Sequence, residues 1–141
     1  MQASVGFFGA ADLASLTSGL DSSSVAAASR PDSPFAKYLV GDPKGRSVLD
    51  FPAEVQDANP SSHATPDGPA FLLYHGEDDR IISPIQTQQL HDDLLAHGVA
   101  STRYVVRNAG HGILGDNAKL WLTKGVMDPA VEFFRKQLSP R

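Results

Sequence analysis

AFLLYHGEDDRIISPIQTQQLHDDLLAHGVASTRYVVRNAGHG, residues 70–112, decides the fold. Ala70 to Tyr74 is continuously apolar, the pattern of a parallel strand covered on both faces. His75 and Gly76 end it, and the acidic triplet Glu77-Asp78-Asp79 follows. Ser83-Pro84-Ile85-Gln86 has the form of a capping box with proline at the first helical position. Leu90, Leu94 and His97 then fall along one helix face, and Gly98 supplies a left-handed stop. Thr102 to Val106 is β-branched and aromatic, a second strand, and it runs into Asn108-Ala109-Gly110-His111-Gly112. Strand, helix, strand in this order makes a right-handed parallel βαβ unit.

Parallel strands send the loops that follow them to the same edge of the sheet, the edge where open α/β folds bind ligands. Asp79 and His111 are 32 positions apart. If their strands are neighbours, the two loops nevertheless start only ~5 Å from each other. A carboxylate that accepts the Nδ1 proton of an imidazole fixes its tautomer and stabilises the imidazolium formed in general-base catalysis. Each residue also has a plainer reading. Asp79 fits a solvated loop position or a helix cap, and the triplet 77–79 fits weak divalent-cation ligation through carboxylate oxygens. Glycines on both sides of His111 leave its ring accessible. His75, at the end of a buried strand, reads as structural. His63, His91 and His97 read as loop or helix-surface residues.

The rest of the chain is less regular. Ser4 to Phe8 is a short apolar strand closed by Gly9. Ser15 to Asp32 is rich in Ser, Ala and Gly and reads as a flexible excursion. Ser33 caps a short helix from Pro34 to Val40, stopped at Gly41. Val48, Phe51 and Val55 recur at helical spacing, with Pro52 dividing that stretch. Asn59 to Pro69 crosses the surface. Asp128-Pro129 starts a last helix with Val131, Phe134 and Leu138 on its inner face. The expectation is a single partial domain over 1–141: a strand and the start of a helix at 1–12, a cap-like or irregular insertion at 13–68, and the acid and histidine βαβα unit at 69–141.

The 141 residues carry a net charge of −4, with 41% hydrophobic and 20% charged residues, the profile of a globular protein. That balance gives no reason to expect nucleic acid or an anionic membrane as a partner. No apolar run approaches the ~20 residues of a membrane span, and MQASVGFFGAADL lacks the basic start of a signal peptide. With no cysteine, disulfides, cysteine-ligated zinc and a cysteine nucleophile are excluded. No motif calls for a cofactor.

PAFLLYHGEDDRIISPIQTQQLHDDLLAHGVASTRYVVRNAGHG, residues 69–112, resembles the acid and histidine segments of esterase-type α/β-hydrolases. It is most similar to the branch of feruloyl-esterase-like, acetyl-esterase and dienelactone-hydrolase-like proteins, with prolyl-oligopeptidase-type peptidases as relatives. These share strand, His-Gly-x-x-Asp, helix, strand, Gly-His-Gly. The pattern falls on His75, Gly76 and Asp79, then on Gly110, His111 and Gly112. VGFFGAADL resembles the strand after the nucleophile helix, and SPFAKYLVGDP and ANPSSHA the approach to the acid strand, so the likeness covers nearly the whole chain. It implies the C-terminal part of an α/β-hydrolase fold, and an ester hydrolase in which Asp79, rather than Asp78, is the triad acid and His111 the base. A small-molecule ester is the implied substrate.

The family's serine stands in a G-x-S-x-G elbow ahead of the acid. The only glycines four apart here are Gly41 and Gly45, with Pro43 at the serine position. No elbow is present, nor an HGGG-type oxyanion segment. The resemblance therefore implies a chain that starts late, as a truncated frame or one piece of a larger enzyme. Its sheet edge beside Ser4 to Phe8 would be open to self-association or to a partner segment. The alternatives are a noncatalytic α/β binding module and a peptidase of the prolyl-oligopeptidase type. Leu13 to Asp57 fits a wall of the site, and Leu114 and Trp121 its rim, though each fits ordinary packing at least as well.

Overall fold

The computed structural model describes residues 2–31 and 33–139. Three parallel strands form one sheet in the order β1 (Ala3–Phe7), β2 (Ala70–Gly76), β3 (Ser101–Val106). β1 pairs Val5 with Leu72 and Phe7 with Tyr74, while β2 pairs Leu73 with Arg103 and His75 with Val105. β2 is the central strand and is buried along its last five residues, which explains its unbroken apolar run. Helix α4 (Ile85–Ala96) makes the β2–β3 crossover, and Gly98 at φ +76° ends it as expected. The strand alternation divides the core. Leu72 and Tyr74 pack with Val5, Phe7, Trp121, Val126 and Ala130 against helix α5 (Lys124–Leu138). Leu73 faces Leu94 and Val99 on the α4 side.

The last helix corrects the sequence reading. It begins at Lys124 and contains Pro129 in its interior, so the proline does not mark its start. Val126, Ala130 and Phe133 meet the sheet. Val131, Phe134 and Leu138 are 44%, 38% and 53% exposed and lie outside, as does Met127. Both stripes are apolar at helical spacing. Counting from Pro129 chose the wrong one.

The stretch from Ser15 is also more ordered than its composition suggests. Asp21 accepts from the backbone N–H groups of Ser23 and Ser24 and caps helix α1 (Ser22–Ala28). Leu13, Leu16 and Ala28 join Ala36, Val48 and Val55 in a second core. Those last three belong to α2 (Pro34–Val40), a 3₁₀ turn and α3 (Pro52–Ala58), with Pro52 dividing the stretch as read. Asp32 lies outside the described residues.

Gln86 joins the two cores. In the expected capping box it would return to Ser83. Instead it is fully buried, and its Oε1 accepts from Ala11 N (2.9 Å) and Asp12 N (2.8 Å), 75 and 74 residues away. Its Nε2 donates to the Ser15 carbonyl at 3.1 Å. Asn59 completes the turn, accepting from Leu13 N at 2.9 Å and donating to Asp12 Oδ1 at 2.7 Å. Buried backbone donors left without acceptors cost about 1–3 kcal/mol each. Gln86→Ala is expected to destabilise the chain by about 2–4 kcal/mol, read as a lower denaturant midpoint. A midpoint equal to the native one would show that water replaces the side chain.

Candidate active site

Two loops leave the carboxyl edge of the sheet stitched together by their own backbones. Glu77 N donates to Val106 O (3.0 Å), Asp78 N to Ala109 O (3.0 Å), and Asn108 N to the Glu77 carboxylate (3.1 Å). The acidic triplet is thereby divided. Glu77 and Asp78 face solvent and Asp79 turns inward, 4% exposed. Among the described residues no group of three or more His, Asp or Glu side chains is placed to hold a metal ion.

Asp79 Oδ2 lies 2.8 Å from His111 Nδ1, and Oδ1 accepts from Ile81 N (2.9 Å) and Ile82 N (3.0 Å). Burial opposes ionisation of this carboxyl. The hydrogen bonds from His111 and His75 and from the Ile82 and Ile81 backbone outweigh it and hold the group well below the usual carboxylate range. An ionised Asp79 can only accept, so His111 Nδ1 carries a proton, and the neutral ring in this tautomer has its lone pair on Nε2. Nε2 has no hydrogen-bond partner among the described residues, and the His111 side chain is 15% exposed.

Glycines make this approach possible. A Cβ on Gly76 would stand 2.3 Å from Ala109 O and 2.6 Å from Gly110 O. Gly112 has φ +52°, and a Cβ there would meet the Phe8 ring at 2.6 Å. Phe8 itself holds φ +43°, which is rare for a bulky residue and clusters at functional sites. Its ring lies 4.7 Å from that of His111 and 4.9 Å from that of Trp121. Trp121 is buried and donates Nε1–H to Gly110 O at 3.2 Å, bracing the histidine loop.

His111 stands between two clefts. One, of about 600 Å³, is walled by Ser23, Ala27 and Phe35 on one side and Arg80 and Ile81 on the other. The second, of about 540 Å³, is lined by Phe7, Phe8, Ile113, Trp121 and Met127. Leu114 borders both and is exposed. The stretch 13–57 thus supplies a wall, and Leu114 and Trp121 lie where rim residues were expected, although Trp121 mostly packs.

The other histidines separate. His63, exposed, contacts Asp57 O, and His91 contacts Ser101 Oγ. His97 is exposed and bonds to Asp93 O rather than continuing the buried face of α4. His75 is fully buried, as read, but its Nε2 is 3.1 Å from Asp79 Oδ2. Sequence reasoning missed that contact and the role of Phe8. The His-Gly-x-x-Asp spacing was the one signal for the first, and only the following Gly9 hinted at the second.

Residues 1–94 match the BD-FAE family, a span of more than half the chain that includes Asp79 and stops before His111. The chain belongs to the BD-FAE family. No curated protein matches it. Among solved structures, this BD-FAE chain is similar to a truncated form of a carbohydrate esterase from gut microbiota. The TM-score is 0.75 at 21% identity, over 97% of this chain and 42% of that one. It is also similar to a bifunctional GH43-CE protein of Bacteroides eggerthii (TM-score 0.77, 20% identity, 99% of this chain and 16% of that one). A puromycin-hydrolysing peptidase of Mycobacterium tuberculosis gives a TM-score of 0.69 at 16% identity, over 100% and 19% of the two chains. The BD-FAE chain spans less than half the length of each of these three. Together they place its three-stranded parallel sheet and flanking helices in the α/β-hydrolase fold.

Proposed function

We propose that this chain supplies the acid and base of a serine-type carboxylic ester hydrolase. The observation that carries the reading is the 2.8 Å Asp79–His111 contact, which leaves Nε2 of the base unpartnered between two apolar clefts. His111 Nε2 takes the proton of a serine hydroxyl as the serine attacks the ester carbonyl. It returns that proton to the leaving alcohol and then activates the water that releases the acyl group. Asp79 keeps the imidazole in the correct tautomer throughout. The serine comes from residues outside these 141, and the segment that bears it adds to the free edge of β1. Membership of the BD-FAE family supports esters over peptides as substrates.

A fluorophosphonate probe tests the assignment, because it labels only an activated serine. No labelling of the 141-residue chain is expected. Labelling that maps to a serine within it would overturn the claim that the nucleophile lies elsewhere. With the β1 edge free, the chain alone is expected to self-associate as its concentration rises. A monomer by light scattering at high concentration, with a cooperative melt, would count against that edge as a pairing site.

A further inference from the structure

His75 lies on β2 with its ring toward α4, and both ring nitrogens are engaged. Nδ1 is 2.9 Å from Thr87 Oγ1, and Nε2 is 2.9 Å from Ile82 O and 3.1 Å from Asp79 Oδ2. Thr87, in the first turn of α4, is itself buried. Its Oγ1 accepts from Arg103 Nε at 3.1 Å. Arg103 reaches it from β3 and is fixed at its other nitrogens by Gln88 Oε1 (3.0 Å) and Pro84 O (2.9 Å).

Proton bookkeeping gives this chain a direction. Arg103 can only donate, so it occupies a lone pair of Thr87 and leaves the hydroxyl proton to go elsewhere. The nearer acceptor is His75 Nδ1 at 2.9 Å; Pro84 O is 3.3 Å away. Nδ1 of His75 is therefore an acceptor and Nε2 carries the ring proton, facing two oxygens that can only accept, Ile82 O and Asp79 Oδ2. His75 Nε2–H is hydrogen-bonded to Ile82 O with Asp79 Oδ2 3.1 Å away, so Oδ2 stands beside the N–H groups of two histidines while Oδ1 receives two backbone N–H groups.

We propose that His75 is a positioning residue for Asp79, held in its Nε2–H tautomer by Ile82 O on one side and the Arg103-bound Thr87 hydroxyl on the other, so that the carboxylate stays aimed at His111. The proposal rests on the reading of Asp79 and His111 as acid and base, and it adds three residues, on β2, α4 and β3, to that machinery. The low-lying ionisation of Asp79, to which the His75 contact contributes, agrees with it. A buried donor on a carboxylate oxygen also removes the rotational freedom that solvent would otherwise allow it.

Nuclear magnetic resonance of the whole chain tests this without reference to turnover. The ring nitrogens of His75 are read by ¹⁵N shifts and the Asp79 carboxyl by ¹³C titration. In the native chain His75 is expected as a single Nε2–H tautomer. In Thr87→Val, which keeps the volume and removes the hydroxyl, the same tautomer is expected, because Nε2 still faces Ile82 O and Asp79 Oδ2. The Asp79 midpoint is expected to rise by about one pH unit in His75→Phe. In His75→Gln, whose amide can still donate, it should stay near the native position. A proton on Nδ1 of His75 in the native chain would overturn the proposal. So would an Asp79 midpoint in His75→Phe no higher than in His75→Gln. If His75→Phe does not fold, the tautomer of His75 in the native chain decides alone. Absence of ester hydrolysis would bear on the proposed function and leave these readings intact, whereas an unmoved Asp79 would remove the relay whatever the activity.

Discussion

Asp79→Asn is expected to lower ester turnover by roughly 10⁴ in kcat, and His111→Ala to abolish it, when the chain is assayed together with its serine-bearing portion. The reason for the first lies in how the carboxylate is held. Oδ1 accepts from Ile81 N and Ile82 N. In the asparagine variant the carbonyl oxygen must keep that place, because an amide NH₂ there would face two backbone donors that cannot shift their protons, whereas His111 beside Oδ2 can shift its own. The NH₂ is then forced into the Oδ2 position, 2.8 Å from His111 Nδ1. A donor opposite Nδ1 makes Nδ1 an acceptor and moves the proton to Nε2, where the base needs its lone pair. The geometry survives and the chemistry does not. The measurement is steady-state hydrolysis of a chromogenic ester. Full kcat in either variant would remove that residue from the proposed acid–base pair.

The second large effect concerns stability. Gly76→Ala places a methyl group 2.3 Å from Ala109 O and 2.6 Å from Gly110 O. These are backbone atoms of the loop that carries His111, and Ala109 O is also the acceptor for Asp78 N. No side-chain rotation relieves the clash, so the acid and base loops must part. A loss of about 3 kcal/mol or more is expected, at the upper end of overpacking effects. Gly9→Ala is the control, since nothing lies within 4 Å of a Cβ there, and it should change stability by less than about 0.5 kcal/mol. Denaturant midpoints decide the comparison. Equal midpoints would mean that the two loops separate without cost.

The parts of this fold legible in the sequence are those written in local pattern. The apolar run at 70–74 located β2, though its strand continues through His75 and Gly76. The β-branched run located β3, and the glycines at 76, 98, 110 and 112 marked the turns that bring Asp79 to His111. The family resemblance is borne out by the match over 1–94, which covers the His75–Asp79 motif and stops before Gly110-His111-Gly112. What stayed hidden depends on partners distant in sequence. Gln86 looked like half of a capping box because its true acceptors sit more than 70 residues earlier. Leu16 is fully buried inside a stretch of Ser, Ala and Gly, because α1 to α3 close over it. Val131, Phe134 and Leu138 are as apolar as Val126, Ala130 and Phe133, and only the position of the sheet selects between the stripes. His75 read as structural because one strand cannot reveal that a loop folds back to place its carboxylate beside the ring.

Trp121 is the only tryptophan in the chain. Its indole is hydrogen-bonded to the carbonyl of the residue before His111 and packed against Phe8, the ring on which His111 rests. The intrinsic fluorescence of this protein is therefore an optical signal from one place, the loop that carries His111. Its emission follows opening or filling of the cleft beside that loop, while far-ultraviolet dichroism, dominated by the helices, reports on the rest of the chain.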